Sequence, residues 1–262
     1  MRGAAVRLAG RLAWLLLALP LAALASENVR LDRLPADVSP NDTVSLQRGA
    51  QVFVNYCLGC HSANYMRYNR LQDLGLTDAQ ILDNLVFTGA KVGDLMRTAM
   101  DPRDSKEWFG APPPDLTVIA RSRSSGAGSG ADWLYTYLRS FYRDPSRPTG
   151  WNNTVFANVG MPHALWQLQG EQVLKTEVET IPVGTKGDVE KREVHRLMLN
   201  KPGTMKPADY DRMVADLVNY LSYMSEPARA NRVQLGIYVL MFLGVLLVLT
   251  YLVKVEYWKD VH

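Results

Sequence analysis

The chain has 262 residues, 47% hydrophobic and 21% charged, which suits one well-buried core and excludes a disordered polymer. Nucleic acid is excluded as a partner by charge: setting aside Arg2, Arg7 and Arg11 of a leader-like start leaves 26 of the 29 Lys and Arg against 26 Asp and Glu. Only two cysteines occur, so no disulfide framework holds the fold, and no solenoid-period repeat is present.

Residues 1–25 have the parts of a secretory signal. Three arginines precede an apolar run over residues 12–21, and Ala23-Leu24-Ala25 offers small residues ahead of Ser26. An uncleaved signal anchor is the alternative. Next comes a helix capped by Asp42 or Ser45, with Leu46, Ala50, Val52, Phe53 and Tyr56 as its apolar stripe.

That helix leads into Cys57-Leu58-Gly59-Cys60-His61, the C-x-x-C-H pattern of covalent haem attachment. Two thiols on one helical turn reach the two vinyl groups of a haem, and the adjacent imidazole falls beneath the iron. A thioredoxin-like pair would need a preceding strand and no obligatory His. Structural zinc would need further Cys or His at finger spacing, and the sequence holds no other Cys. Haem c is the expected cofactor.

Thr77-Asp78-Ala79-Gln80 reads as a capping box opening a helix through Val86. Residues 122–130 are Ser/Gly-rich and read as a flexible loop. Residues 131–143 carry Trp133, Leu134, Tyr137, Leu138 and Phe141 at helical spacing. Residues 172–199 alternate around Gly184 and Gly187 and read as a peripheral hairpin, and Pro207 starts a helix through Tyr223.

Residues 233–253 carry no charge and give about 31 Å of helix, the thickness of a hydrocarbon core of about 30 Å. A transmembrane anchor is therefore expected over residues 231–254, with 255–262 as a cytoplasmic tail. The basic residues flanking it balance, so orientation rests on the export signal, which puts residues 26–230 outside.

Electron transfer requires a second strong axial ligand besides His61, since open iron binds small molecules. Met161 is the expected one, in the loop-like Asn158-Val159-Gly160-Met161-Pro162. Met96, Met100 and His163 are its rivals. His195 lies in the alternating segment and reads as a surface residue, and His262 lies on the far side of the membrane.

At this point the sequence resembles the cytochrome c1 family, the haem-c subunits of quinol–cytochrome c oxidoreductase (the bc1 complex), in its bacterial form. The likeness begins at Ser45-Leu46-Gln47-Arg48-Gly49-Ala50-Gln51-Val52-Phe53 and runs into the haem motif. It continues in Pro113-Pro114-Asp115-Leu116, Arg121-Ser122-Arg123, Arg147-Pro148-Thr149-Gly150 and Gly160-Met161-Pro162, and closes with Ser225-Glu226-Pro227 before the anchor. The resemblance implies a mostly α, class I cytochrome c-like haem domain with a small β excursion and one C-terminal transmembrane helix. It implies that the Pro113-Pro114 segment, with Pro114 among the haem-site residues, walls the proximal side, where a backbone carbonyl accepts the imidazole N–H of His61. It further implies that Arg123, and less surely Arg121, pairs with a haem propionate.

The partners implied are cytochrome b, a Rieske iron–sulfur protein as donor and a soluble cytochrome c as acceptor, in a dimeric complex. The place implied is a bacterial inner membrane, with the haem domain periplasmic and no separate active site on this chain. Two other classes compete: a free-standing anchored electron shuttle, and a haem enzyme with an open iron position. Two departures stand out. The stretch between Gly150 and Met161 is shorter than in mitochondrial members, and no extra cysteine pair supports the Met161 loop, so something else must hold it.

Overall fold

The computed structural model describes residues 30–183 and 188–259. The expected signal segment, the hairpin tip at 184–187 and the end of the tail lie outside the described residues.

Helix α1 (Thr43–Val52) starts where the Asp42 carboxylate accepts the N–H groups of Val44 and Ser45, both at 3.1 Å. It buries Ser45, Leu46, Gly49 and Ala50 against the long helix α7 (Pro207–Ser225). Gly49 makes the crossing tight: a Cβ there would lie 2.1 Å from the Asp216 carbonyl oxygen. The buried Asp216 carboxylate ties the two helices, accepting from Ser45 Oγ at 2.7 Å and from Arg48 Nε at 2.6 Å. Paired in this way, the charge avoids the penalty of an isolated buried ion.

After α1 the backbone widens into a π turn over Phe53–Cys57, where the Leu58 N–H donates to the Phe53 carbonyl at 3.0 Å. Strand β1 (Ala63–Arg67), a 3-10 helix (Tyr68–Leu74) and helix α2 (Asp78–Leu85) follow. The expected Thr77 capping box is present, with Thr77 and Gln80 bonding reciprocally. Strand β2 (Leu95–Met96) pairs antiparallel with β1, and helix α3 (Pro102–Phe109) ends at a left-handed Gly110.

Helix α4 (Ile119–Ser122) is one turn long. Helix α5 (Gly130–Arg139) is capped by Ser129, and its Gly130 abuts α4 so closely that a Cβ would sit 1.8 Å from the Ala120 carbonyl. The sequence predicts helix through Arg143, but α5 stops at Arg139. Phe141–Arg143 instead forms β3, which pairs with β4 (Trp151–Asn153). Tertiary pairing of β-prone aromatics wins there over helical spacing. Helices α5 and α7 meet through Tyr210, whose hydroxyl donates to the Leu138 carbonyl at 2.8 Å.

Helix α6 (Trp166–Gln169) turns into the expected hairpin, slightly longer than predicted: β5 (Gly170–Val183) against β6 (Asp188–Pro202). His195 is exposed on β6, as expected. Pro227 ends α7, because the residue before a proline is pushed out of the α region, and Glu226 sits at φ −156°. Helix α8 (Arg229–Tyr257) then contains a candidate membrane span, Asn231–Tyr257, whose most apolar 18 residues have mean hydropathy 2.5. Its leucines face outward, Leu240 with 70% of its surface exposed, which fits a lipid solvent. The architecture is mostly helical, with three two-stranded sheets among the described residues, and agrees with the predicted fold class.

Candidate haem site

The π turn and the residues after it form one edge of a cleft of about 290 Å³. Cys57, Cys60 and His61 line it on this side, and the turn is pinned from outside. Its Cys60 and His61 N–H groups both donate to the Cys57 carbonyl, at 3.0 and 2.8 Å. Thr98 Oγ1 donates to the Gly59 carbonyl at 2.7 Å, and the Leu116 N–H to the Ser62 carbonyl at 2.9 Å.

The second of these bonds brings residues 113–116 alongside, where His61 Nδ1 meets the Pro114 carbonyl oxygen at 2.7 Å. A carbonyl only accepts, so Nδ1 carries the proton and Nε2 keeps its lone pair. Burial lowers the His61 pKa, against the pull of that carbonyl and of Asp115, so the ring stays neutral. A neutral imidazole with a fixed tautomer is the form that ligates a metal.

The free thiol of Cys57 is pushed up to about 12, first by burial and then by Cys60 beside it, and burial raises Cys60 too. Catalytic C-x-x-C pairs need depressed thiol pKa values. Burial acts in the opposite sense on this motif.

The floor comes from α7 through Leu217 and Leu221, and from α5 through Leu134, Tyr137 and Leu138. The remaining edge is the stretch Val159-Gly160-Met161-Pro162. Met161 is half-buried, and the Tyr137 hydroxyl donates to its Sδ at 3.3 Å. Tyr137 is locked by stacking on Trp133 at 4.8 Å between ring centres, and burial raises its pKa, so the phenol keeps its proton.

The rivals of Met161 lie elsewhere. Met96 is fully buried in the core, accepting weakly from the Tyr220 hydroxyl at 3.7 Å, and Met100 does not line the cleft. His163 is buried beside the cleft, stacked on Phe141 at 4.8 Å with Nε2 on Gln169 Oε1 at 2.6 Å. Burial drops its pKa to about 4. It is a packed, neutral core histidine.

Arg123 and Arg121 separate. Arg123 lines the cleft, its guanidinium 4.7 Å from the Trp133 ring centre and 5.8 Å from that of Phe156, and its buried Nε has no hydrogen-bond partner. Arg121 lines a different cavity, of about 540 Å³, with Glu226 and Arg229 near the start of α8. The expected pairing of Arg121 with the same group as Arg123 therefore lacks the geometry: Arg121 lies within the one-turn helix α4 and Arg123 at its cap, so the two side chains diverge.

A cleft walled by Tyr56, Phe109, Ile119, Trp133 and Phe156, with an orphaned buried guanidinium nitrogen at its edge, fits a large apolar disc bearing carboxylates. It also offers two thiols, a ligating imidazole and a thioether, which is what haem c requires. In the sequence Asn152 and Asn153 carry no signal, and Tyr137 and Trp133 read only as core residues. The four-residue spacing of Trp133 and Tyr137 on α5 was the one signal that could have pointed to them.

Fold and cleft together define a class, a mostly helical c-type haem protein with a single apolar C-terminal helix. The Cytochrome C1 family profile matches residues 38–189 and 201–261. A Nitrosomonas europaea protein named ammonia monooxygenase gamma subunit is 51% identical over 236 residues, covering 90% of this chain and 91% of its own. The cytochrome c1 of Allochromatium vinosum is 48% identical over 228 residues, covering 87% and 88%, and that of Rhodospirillum rubrum 27% over 239 residues, covering 84% and 83%. The chain belongs to the cytochrome c1 family, whose members carry one covalent haem c and are membrane-anchored electron-transfer subunits of the bc1 complex.

Proposed function

We propose that this chain relays single electrons from a Rieske iron–sulfur protein to a soluble cytochrome c. It does so beside cytochrome b in a dimeric complex, with the haem domain on the periplasmic face of a bacterial inner membrane. In this reading residues 1–25 direct export and residues 26–230 form the exported domain. Cys57 and Cys60 would hold the haem through thioether bonds, His61 and Met161 would ligate its iron, and Arg123 would pair with a propionate. The observation that supports it most is that one apolar cleft gathers both thiols, the neutral imidazole and the thioether.

Haem c, when bound, supplies a one-electron ferric–ferrous couple. The residues of this chain set its bias. The Pro114 carbonyl orients His61 and strengthens its Nε2 as a donor. The Tyr137 hydroxyl draws electron density from the Met161 sulfur, and a weaker donor favours the ferrous state. The guanidinium plane of Arg123, held between Trp133 and Phe156, keeps its fork for a carboxylate. Apolar walls keep water from the couple.

Subunit is favoured over free shuttle by the connection to the anchor. Only residues 226–228 separate α7 from α8, and Arg232 of α8 pairs back onto Glu226. A chain that swings between distant partners would need a flexible tether. Co-extraction with a cytochrome b and an iron–sulfur protein is the expected outcome, and purification as a lone haem protein would favour the shuttle. For the ligand, Met161→Leu leaves haem attached but lowers the midpoint potential by on the order of 0.1–0.3 V. If that variant keeps the parent potential, Met161 is not the ligand.

A further inference from the structure

Cys57 and Cys60 are the only cysteines, so no disulfide supports the Met161 loop. Yet the loop follows a demanding path. Asn158 sits in the left-handed region at φ 61°, a conformation that a non-glycine residue keeps only where its surroundings fix it. Two residues on, Gly160 passes so close to α3 that a Cβ would lie 2.6 Å from the Phe109 carbonyl oxygen.

Three polar groups of Asn158 are held: its carbonyl oxygen, its Oδ1 and its N–H. Arg147 Nη2 donates to its carbonyl oxygen at 2.9 Å, and Nη1 to its side-chain Oδ1 at 3.3 Å. Its N–H donates to Oδ1 of the buried Asn152 at 2.8 Å. Arg147 stands on firm ground itself. It lies in the turn between β3 and β4, closed by the Gly150 N–H on the Arg147 carbonyl at 2.9 Å and the Asp144 N–H on the Gly150 carbonyl at 3.1 Å. Its Nε is buried and makes no hydrogen bond, so the hydrogen bonding of the guanidinium goes to Asn158.

We infer that Arg147 is a positioning residue for Met161: its guanidinium clamps Asn158 in the left-handed turn and thereby holds the thioether at the cleft, the task a disulfide would otherwise perform. This rests on Met161 being the axial ligand. The fork geometry is essential to it, since an ammonium carries all its donors on one nitrogen, set back from where the two Nη atoms reach the carbonyl and the amide.

The test uses the full-length chain with haem attached, in its detergent-extracted complex. It compares Arg147→Ala, Arg147→Lys and Met161→Leu by the long-wavelength absorption band of thioether-bound ferric haem, by carbon monoxide uptake of the ferrous form, and by melting of the helical signal. Losing two charge-assisted bonds raises the carbon monoxide-reactive fraction about tenfold in Arg147→Ala. On warming, the thioether band disappears well before the helical signal. Arg147→Lys behaves in the same way, and it decides the matter should Arg147→Ala fail to assemble.

Parent-like carbon monoxide uptake in both Arg147 variants overturns the clamp, and so does a band that melts together with the helices, which marks a merely structural arginine. The two levels separate through Met161→Leu. If that variant keeps the band, the ligand assignment has failed. If it loses the band while the Arg147 variants keep theirs, only the clamp has failed.

Discussion

The two edges of the cleft are built on different plans. The Cys57–His61 side is local: five consecutive residues, the first of them ending the π turn, supply both thiols and the imidazole, and their mutual geometry follows from the chain path itself. The Met161 side is assembled from afar. Tyr137 on α5 reaches its sulfur, and two adjacent buried asparagines on β4 hold the loop that leads to it. Asn153 Oδ1 accepts the N–H groups of Val155 at 2.8 Å and Phe156 at 3.2 Å, while its Nδ2 donates to the Tyr137 carbonyl at 2.8 Å. A site can therefore lose its second side gradually, while its first side fails all at once.

The largest effect tests that all-or-none character. Replacing Cys57 and Cys60 together with Ser removes covalent haem entirely, so acidified solvent strips all colour from the denatured polypeptide. Colour that stays attached would break the local half of the comparison. Next comes Asn153→Ala, which orphans several buried partners at once and costs about 2–3 kcal/mol of stability, measured by denaturant midpoint. A loss as small as that of an exposed asparagine would mean the loop is held by packing alone.

A smaller effect isolates the tuning of the thioether. Tyr137→Phe removes one hydrogen bond from Met161 Sδ, strengthening the sulfur as a donor and so favouring the ferric state. At about 1 kcal/mol for that bond, the midpoint potential falls by roughly 40 mV. A rise would reverse the assigned role of the hydroxyl.

The smallest effect is one of pH. Asp144 is held below its ordinary value of 3.8, first by the Ser146 hydroxyl and then by the Asn152 amide. A carboxylate lowered on folding contributes stability that is present above the unfolded value and lost as pH falls through the folded one. The thioether band should therefore weaken in acid below pH 3.8, and Asp144→Asn should flatten that dependence.

The same contrast explains what could be read from the chain alone. The haem motif, the Asp42 and Thr77 caps, the hairpin and the apolar anchor are encoded over a few neighbouring residues, and all were visible. The divergence of Arg121 from Arg123 was not, because it depends on where a one-turn helix stops and on which cavity each side chain then meets. The end of α5 at Arg139 was missed because the partner that turns Phe141–Arg143 into a strand lies eight to twelve positions further on. Arg147 as a clamp was equally invisible, since nothing in an Arg-Pro-Thr-Gly segment names the carbonyl it grips.

The π turn before Cys57 carries one further consequence. A five-residue backbone bond inserts one extra residue into a helix, and each residue of an α-helix advances the azimuth by about 100°. Over Phe53–Cys57 this sets the phase between the face of α1 buried on α7 and the face bearing the sulfurs. Deleting a single residue there would let an unbroken α-helix form, equally apolar and equally long in its packed part, with the attachment positions rotated away from the cleft. The helix would survive such a deletion, and the cytochrome would not.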